Sequence, residues 1–328
     1  MTEDEFAFIS PEIPDYRIFG RCGKGGGGTV WAAWDAASNP RAVKVIPVDP
    51  EVDPERFSAG LRAVSAFAAA SQHNRYLIQI YHIGVGEGFW YYVMDLADNR
   101  YPGNWEDRYE PDSLALRLRN DEIGNEDIFR VIRNVLDGVE GLHKSNIAHC
   151  DLKPDNVIFV QGEVRICDPG LVCPGGQNIC AGTEDYHPLG DYNAFECDIY
   201  ALGKILYQLY SGYPVQKFPA LPGKDRLPGT QIFNHLVLRC CIPDRRRMFH
   251  SVNALSDAVD PALPVRWQKN RNNGNRLTGS LRWSAGLLLL IFLQLRQRGA
   301  LFRSVKKKTA EGYALCRQKC AMIRADRL

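Results

Sequence analysis

A carboxylate and an amide stand close together in the stretch HCDLKPDNVIF, residues 149–159. The spacing from Asp151 to Asn156 places both side chains on one tight loop before a predicted short strand. Phosphoryl transfer needs an orienting base for the attacking hydroxyl, oxygen ligands for Mg²⁺ and positive charge near the phosphates. We interpret Asp151 as the catalytic base or orienting group, Asn156 as a ligand of Mg²⁺ and Lys153 as the cation on the γ-phosphate. The alternative is a polar turn in which Asp and Asn cap backbone amides.

A second carboxylate, Asp168, follows a predicted strand in the stretch ICDPG, residues 166–170. Taken alone, Asp-Pro-Gly is an ordinary turn sequence. Because this stretch comes shortly after residues 149–159, we interpret Asp168 as the main ligand of Mg²⁺.

A glycine-rich loop lies near the start of the chain, in GKGGGGTV, residues 23–30. The glycines of its GxGxxGxV pattern are Gly23, Gly25 and Gly28. Glycine lets bare backbone amides approach phosphate oxygens closely, although a glycine-rich hairpin can also be a flexible turn. We predict that this loop binds the phosphates of ATP and that Val30 covers the purine.

The tripeptide of Ala42, Val43 and Lys44 follows inside a predicted strand. A lysine between apolar residues on a strand can be an edge device against aggregation. After a glycine-rich loop at this distance, Lys44 is better explained as the cation that holds the first two phosphates of ATP.

The elements that position these motifs change in type along the chain. Residues 16–96 contain short β-type runs broken by glycine, with one helical stretch at residues 54–72. Residues 97–262 have mostly helical periodicity, and Ile199 to Leu209 is apolar enough for a central helix. The sequence therefore predicts an α+β fold, with a small antiparallel β lobe carrying one helix and a larger helical lobe.

With these motifs in this order, the chain resembles the protein kinase family. The sequences of its motifs are similar to those of the bacterial, eukaryotic-like serine/threonine members. The match runs from about Tyr16 to about Asp260 and includes DIYALGKILYQLYSG at residues 198–212. The resemblance implies a bilobal protein kinase fold. It also implies Mg²⁺-dependent transfer of the γ-phosphoryl group of ATP to a protein hydroxyl, and Lys153 is similar to the serine/threonine type.

The same resemblance implies an adenine site beside the stretch YYVMDLAD, residues 91–98, which is similar to the family's hinge. Met94 stands in the gatekeeper position of that stretch. The residues that would line the adenine are Val30, Ala42, Met94, Asp95 and Ala97.

Several positions depart from the family pattern. Cys150 stands where most members carry Arg, which makes the chain a non-RD type, and Pro169 replaces the Phe of the DFG motif. HPLG at residues 187–190 replaces the APE motif, and Met248 occupies the position of the Arg that would pair with its glutamate. Because a lone buried charge is costly, we interpret the glutamate and the arginine of that ion pair as having been lost together.

The helix glutamate that should pair with Lys44 has no clear counterpart. Residues 60–63 occupy its region, and the nearest acidic residues are Glu51 and Glu55. Lys44 is then expected to be oriented by Asp168 and phosphate alone. This departure supports an alternative function, a pseudokinase that acts as an ATP-binding or scaffolding module.

Charge separates the end of the chain from the rest. Residues 264–328 hold 15 Lys and Arg against two acidic residues, which gives this segment a net charge of +13. Because the whole chain has a net charge of +2, the net charge of the remainder is −11. An acidic body argues against nucleic-acid binding, whereas a basic tail favours an anionic membrane surface. Ten cysteines without a signal peptide indicate reduced thiols and a cytoplasmic kinase domain. The protein substrate is unknown from the sequence.

The apolar run LRWSAGLLLLIFLQLR is short for a membrane span, although residues 277–295 make a marginal one. Three interpretations of this run stay open: an interfacial helix, a helix packed on the large lobe, and a membrane-spanning helix.

Cys316 and Cys320 have ligand-like spacing without further ligands nearby, so no metal site is predicted. The predicted domains are a leader at 1–15, the kinase domain at 16–262, a basic polar linker at 263–282, an apolar helix at 283–295 and a basic tail at 296–328.

Overall fold

Alternating apolar residues in the first part of the chain build an antiparallel sheet. The computed structural model describes residues 11–25, 27–49, 51–177, 182–222 and 230–264. The sheet has the strand order β1-β2-β3-β5-β4. Its strands are β1 (Tyr16–Gly25), β2 (Gly28–Asp35), β3 (Pro40–Ile46), β4 (Ile80–Gly86) and β5 (Phe89–Asp95).

The register of β3 decides which residues face the large lobe. Ala42 pairs with Met94, and the next residue, Val43, pairs with Val93. Because side chains alternate between the faces of a strand, Ala42 joins the main core while Val43 packs in a separate cluster on the opposite face. Lys44, one residue further, returns to the face of Ala42.

Helix α1 (Pro54–Ser71) packs on the sheet and begins with a side-chain cap. The carboxylate of Asp53 accepts a hydrogen bond from the Arg56 amide, which satisfies one of the free donors of the first turn. Gly60 lets the helix approach the sheet closely, because a Cβ at that position would lie 2.7 Å from the Trp90 ring.

The second part of the chain is mainly helical. The helices are α2 (Leu114–Arg119), α3 (Asn125–Lys144), α4 (Ala194–Ser211), α5 (Thr230–Cys240) and α6 (Val252–Val259). Helix α4 is buried along almost its whole length, as its apolar sequence predicts. Two small antiparallel ribbons carry the polar motifs: β6 (Ile147–Ala148) pairs with β9 (Cys173–Pro174), and β7 (Val157–Val160) pairs with β8 (Glu163–Ile166).

The predicted α+β fold is confirmed, with a five-stranded antiparallel sheet and one helix followed by a helical part. The predicted domain boundaries stay predictions. Residues 1–10 and 265–328 lie outside the described residues, and so do nearly all of the linker, the apolar helix and the basic tail. Among the described helices, none combines the length and the apolar character that crossing a membrane requires.

A buried aspartate of α4 anchors the loop that follows β6. The carboxylate of Asp198 accepts the backbone amides of His149 and Cys150, each at 2.8 Å. His143 Nε2 lies 2.9 Å from the same carboxylate. Asp198 is 1% exposed, so these contacts replace the water that a carboxylate would otherwise require.

We expect Asp198→Ala to lower the free energy of unfolding by about 3 kcal/mol, because two backbone amides would lose a charged acceptor. Urea unfolding followed by tryptophan fluorescence measures this change. Asp257→Ala, at an exposed position of α6, is the control, and its effect should stay within about 0.5 kcal/mol. Equal effects of the two substitutions would contradict the anchoring role of Asp198.

Candidate active site

The carboxylate of Asp151 lies at the centre of a contact set formed by two other side chains. Thr183 Oγ1 donates to Asp151 Oδ1 at 2.6 Å, and Lys153 Nζ donates to Asp151 Oδ2 at 2.8 Å. Lys153 Nζ is also 2.8 Å from Thr183 Oγ1, so the three groups are in mutual contact. A charge-assisted pair of this kind holds both side chains in one orientation.

Asn156 belongs to the same loop, as its spacing from Asp151 predicts. Its side-chain Nδ2 donates to the Asp151 backbone oxygen at 2.7 Å and to Asp151 Oδ2 at 3.1 Å. Since the nitrogen of the amide is engaged there, Oδ1 is turned to the other side of the group. Asn156 is buried, so its rotamer is fixed by these contacts.

His149 connects this loop to the strand that leads to Asp168. Its Nδ1 accepts from the Asp151 amide at 3.3 Å, which leaves Nε2 to donate to the Cys167 carbonyl at 2.9 Å. The ring also meets Phe67 of α1 edge-on at 6.3 Å between centroids. Through these contacts His149 sets the distance between the two acidic positions.

Lys44 of β3 reaches across to Asp168 and forms an ion pair with its carboxylate. Lys44 is 4% exposed, and a Cβ on Gly27 would lie 3.5 Å from its Nζ, so the glycine-rich loop covers it. Asp168 has φ 64°, in the left-handed region, and its carboxylate caps the next turn by accepting from the Gly170 amide at 3.3 Å.

Two opposing effects determine the pKa of Asp168. Burial raises the pKa, whereas the Lys44 ammonium lowers it through charge and hydrogen bonding, and the net result is a lowered pKa. Asp168 is therefore ionised at neutral pH, as a ligand of a cation must be.

The glycine-rich loop is the β1–β2 hairpin, closed by the pairing of Gly25 with Gly28. Gly28 has φ +128°, and a Cβ there would lie 2.2 Å from the Val45 carbonyl oxygen. Glycine is therefore required at this position. Gly23 and Gly25 have no atom within 4 Å of an added Cβ, so local packing does not explain them.

The residues expected around adenine lie on adjacent strands. Ala42 and Met94 are paired and buried, and Val30 packs at the edge of the same core. The Asp95 carboxylate instead accepts from the Tyr81 hydroxyl of β4 at 2.6 Å and from the amide of Gln79, just before that strand, at 3.0 Å. The buried Ala97 offers its carbonyl to the Tyr109 hydroxyl at 3.0 Å.

Helix α1 provides no acidic partner for Lys44 within the described part of the chain. Its only acidic residue is Glu55, in the first turn, where the side chain is exposed. Glu51 is also exposed and precedes the helix. Asp168 is thus the carboxylate that holds Lys44 in this arrangement.

A bidentate ion pair near α4 was missed by sequence reasoning. Arg245 Nε and Nη2 donate to the two Glu196 carboxylate oxygens at 3.0 and 2.6 Å. Met248, which stands where the family carries an Arg, is buried in the core. The cation is therefore three residues earlier in the chain, and it pairs with a glutamate of α4.

The Lys44–Asp168 pair predicts a pH dependence of stability. A carboxyl with a lowered pKa contributes stability above its ordinary pKa of about 3.9, and that contribution is lost as the pH falls through the lowered value. In Lys44→Met burial is opposed only by His149 and the Gly170 amide, so the pKa of Asp168 rises. We expect this variant to be less stable than wild type by about 1 kcal/mol at pH 7, since Asp168 is partly exposed, and by less at about pH 4.

Thermal unfolding at the two pH values checks this expectation. Asp168→Asn is the control background: adding Lys44→Met to it should change the stability by an amount that does not depend on pH, because the titrating group is already absent. A stability difference for Lys44→Met that is equally large at both pH values would contradict the assignment.

Comparison with known proteins shows which family has this architecture. The profile described as the protein kinase domain matches residues 16–236, about two thirds of the chain. A probable serine/threonine-protein kinase PknB from Lactococcus lactis is 27% identical over 210 residues, covering 60% of this chain and 31% of the relative. Serine/threonine-protein kinase PknL from Mycobacterium tuberculosis is 27% identical over 211 residues, covering 60% and 49% respectively.

Serine/threonine-protein kinase Pkn1 from Myxococcus xanthus is 24% identical over 297 residues, covering 80% of this chain and 40% of the relative. The chain thus spans less than half the length of each of these three relatives. The resemblance to bacterial serine/threonine kinases is confirmed. Given the matched domain and the sheet-then-helices fold that carries its motifs, this chain belongs to the protein kinase family.

Proposed function

We propose that this chain is a non-RD serine/threonine protein kinase that transfers the γ-phosphoryl group of ATP to a protein hydroxyl with Mg²⁺. The observation that carries the proposal is the contact set of Asp151 with Lys153 and Thr183, at 2.6–2.8 Å. Such a set holds a carboxylate where a hydroxyl can meet it and holds a cation beside it. These are two of the requirements of phosphoryl transfer.

In this proposal Asp151 orients the attacking hydroxyl and accepts its proton. Thr183 and Lys153 fix both oxygens of the carboxylate, so the substrate hydroxyl would use a remaining lone pair. Lys153 would also balance negative charge on the transferred group. Fixing these groups before the substrate binds reduces the reorganisation needed during the reaction.

Asn156 and Asp168 have the donor atoms that suit Mg²⁺. The Asn156 amide nitrogen is engaged with Asp151, which turns Oδ1 away, and the lowered pKa of Asp168 keeps its carboxylate ionised. Mg²⁺ bound there would neutralise charge on the phosphate oxygens. No cluster of three or more His, Cys, Asp or Glu able to hold a metal occurs in the described ranges, which fits a site completed by phosphate and water.

Recognition of ATP would be divided between the sheet and its hairpin. Lys44 would hold the first phosphates beneath the loop that contains Gly23, Gly25 and Gly28, and adenine would lie beside Ala42 and Met94. The attraction of residues 264–328 to anionic lipid stays a prediction, because all of them beyond Pro264 lie outside the described residues.

A pseudokinase is the second candidate. It is favoured by the absence, among the described residues, of an α1 carboxylate paired with Lys44, since that helix contributes only the exposed Glu55. In this case the fold would bind ATP without turnover. Binding of ATP fits both candidates, so phosphoryl transfer has to be measured.

The kinase proposal predicts distinct effects for the two aspartates. Asp168→Ala should reduce transfer of labelled γ-phosphate by at least about 10³-fold, because an essential metal ligand is lost. Asp151→Asn should leave ATP affinity within about twofold and reduce the rate by about 10²-fold or more, because only the orienting base is lost. Autophosphorylation and a generic basic protein substrate provide the readout.

Asp155→Asn is the matched control in the same loop, since Asp155 is exposed, and it should keep activity within about twofold. If wild type binds ATP but transfers no phosphate with Mg²⁺ or Mn²⁺, the pseudokinase proposal replaces the kinase proposal.

Activity should not depend on phosphorylation in the segment that follows Asp168. Residues 169–182, PGLVCPGGQNICAG, contain no Ser, Thr or Tyr, and Cys150 replaces the arginine that would bind a phosphate. Thr183 is engaged with Asp151 and Lys153. Treatment with a protein phosphatase should therefore leave the rate within about twofold, with mass spectrometry reporting phosphate occupancy. A phosphate on Thr183 whose removal lowers the rate would refute this expectation.

A further inference from the structure

Two thiols meet where the catalytic loop touches the segment that follows Asp168. Cys150 Sγ and Cys173 Sγ are 3.5 Å apart. Cys150 follows strand β6, and Cys173 lies in β9, where it pairs with Ala148 of β6. The ribbon pairing therefore fixes the backbone on both sides of the contact. Neither thiol has a role in the proposed transfer of phosphate.

The surroundings of the pair suit thiol chemistry better than metal binding. Cys150 is buried and Cys173 is half-buried, against Ala148, Ala194 and Phe195. As noted above, the described residues include no His, Cys, Asp and Glu cluster suited to a metal ion. Because of this difference in burial, reagents can reach the Cys173 thiol, while the Cys150 thiol is covered.

The two thiols differ in acidity in the direction that a disulfide-forming pair requires. The hydrogen bond between the two sulfurs lowers the pKa of Cys173 despite partial burial. The same hydrogen bond, burial and the nearby Asp198 carboxylate raise the pKa of Cys150. The more exposed sulfur is the stronger acid and so the one that reacts first with an oxidant.

We propose that Cys150 and Cys173 form a reversible disulfide that ties the segment after Asp168 to the catalytic loop. A disulfide needs its sulfurs at about 2.05 Å, so the pair must close by roughly 1.5 Å, a distance that side-chain rotation and small backbone shifts supply. The bond would enclose residues 150–173, and with them Asp151, Asn156 and Asp168.

A hydroperoxide is the oxidant class that balances the reaction. The Cys173 thiolate attacks one peroxide oxygen, the O–O bond breaks, and the other oxygen leaves as water or an alcohol after taking a proton. Cys173 is then a sulfenic acid. The Cys150 sulfur attacks the Cys173 sulfur, an S–S bond forms, and the hydroxyl group leaves as water with the Cys150 proton. A dithiol reverses the step by thiol–disulfide exchange.

Peptide mapping of the full chain tests the link directly. After brief treatment with hydrogen peroxide, the chain is unfolded in urea that contains N-ethylmaleimide, so that buried free thiols are blocked too, and it is then digested with trypsin without reductant. Cys150 is the only cysteine of the tryptic peptide 145–165, whereas peptide 166–204 carries Cys167, Cys173, Cys180 and Cys197. We expect these two peptides to be linked in more than about half of the chains and to separate with dithiothreitol.

Variants identify the partner sulfur within the longer peptide. The link should disappear in Cys173→Ser and persist in Cys180→Ser and in Cys197→Ser, the last being a buried thiol that contacts His187 instead, at 3.7 Å. A link that persists in Cys173→Ser overturns the assignment. So does a wild-type chain in which Cys150 remains open to N-ethylmaleimide after peroxide treatment.

Thermal unfolding provides a second measurement that does not depend on peptide recovery. Because the bond closes a loop of about two dozen residues, the oxidised wild type should melt roughly 5 °C above the reduced protein, and Cys173→Ser should show no such shift. An equal shift in Cys173→Ser overturns the proposal. Neither measurement uses phosphoryl transfer, so their failure would leave the proposed function standing.

Discussion

The buried carboxylate of Asp198 is the constraint on which the site depends. A carboxylate without water has to be surrounded by donors, and here two of them are consecutive backbone amides, those of His149 and Cys150. Accepting both fixes the direction of the chain just before Asp151. Cys150 consequently has φ 69°, a conformation that costs roughly 1 kcal/mol for a residue other than glycine and that the anchoring offsets.

A chain of hydrogen bonds and ion pairs that starts at this fixed loop positions the remaining groups of the site. Asp151 orients Lys153 and Thr183, and His149 carries the geometry across to Cys167, the neighbour of Asp168. The ion pair of Asp168 with Lys44 then extends the arrangement into the sheet. The sheet and the helical part therefore share a charge pair in addition to their packing contacts, and the strength of that pair depends on both partners being ionised.

Contacts between residues that are close in the sequence could be predicted from the sequence, whereas contacts between distant residues could not. Asp151, Lys153 and Asn156 are within six residues of one another, so their spacing alone predicted that they meet. The alternation of side chains with a period of two residues predicted the strands of the sheet, because this pattern too lies within a few consecutive residues. By contrast, Arg245 with Glu196 and Cys150 with Cys173 are brought together by packing of distant segments. No local pattern marks such pairs, and a single sequence carries no record of them.

The Arg245–Glu196 pair couples two positions that are 49 residues apart in the chain. Glu196 also accepts the Asn193 amide in the capping box that begins α4, so it serves the helix as well as the cation. Loss of Arg245 would leave that glutamate largely buried without its bidentate partner, whereas loss of Glu196 would remove cap and pair together. The cost of replacing either residue therefore depends on which residue stands at the other position. One carboxylate thus holds both the start of α4 and the segment around Arg245, so neither can be altered without an effect on the other.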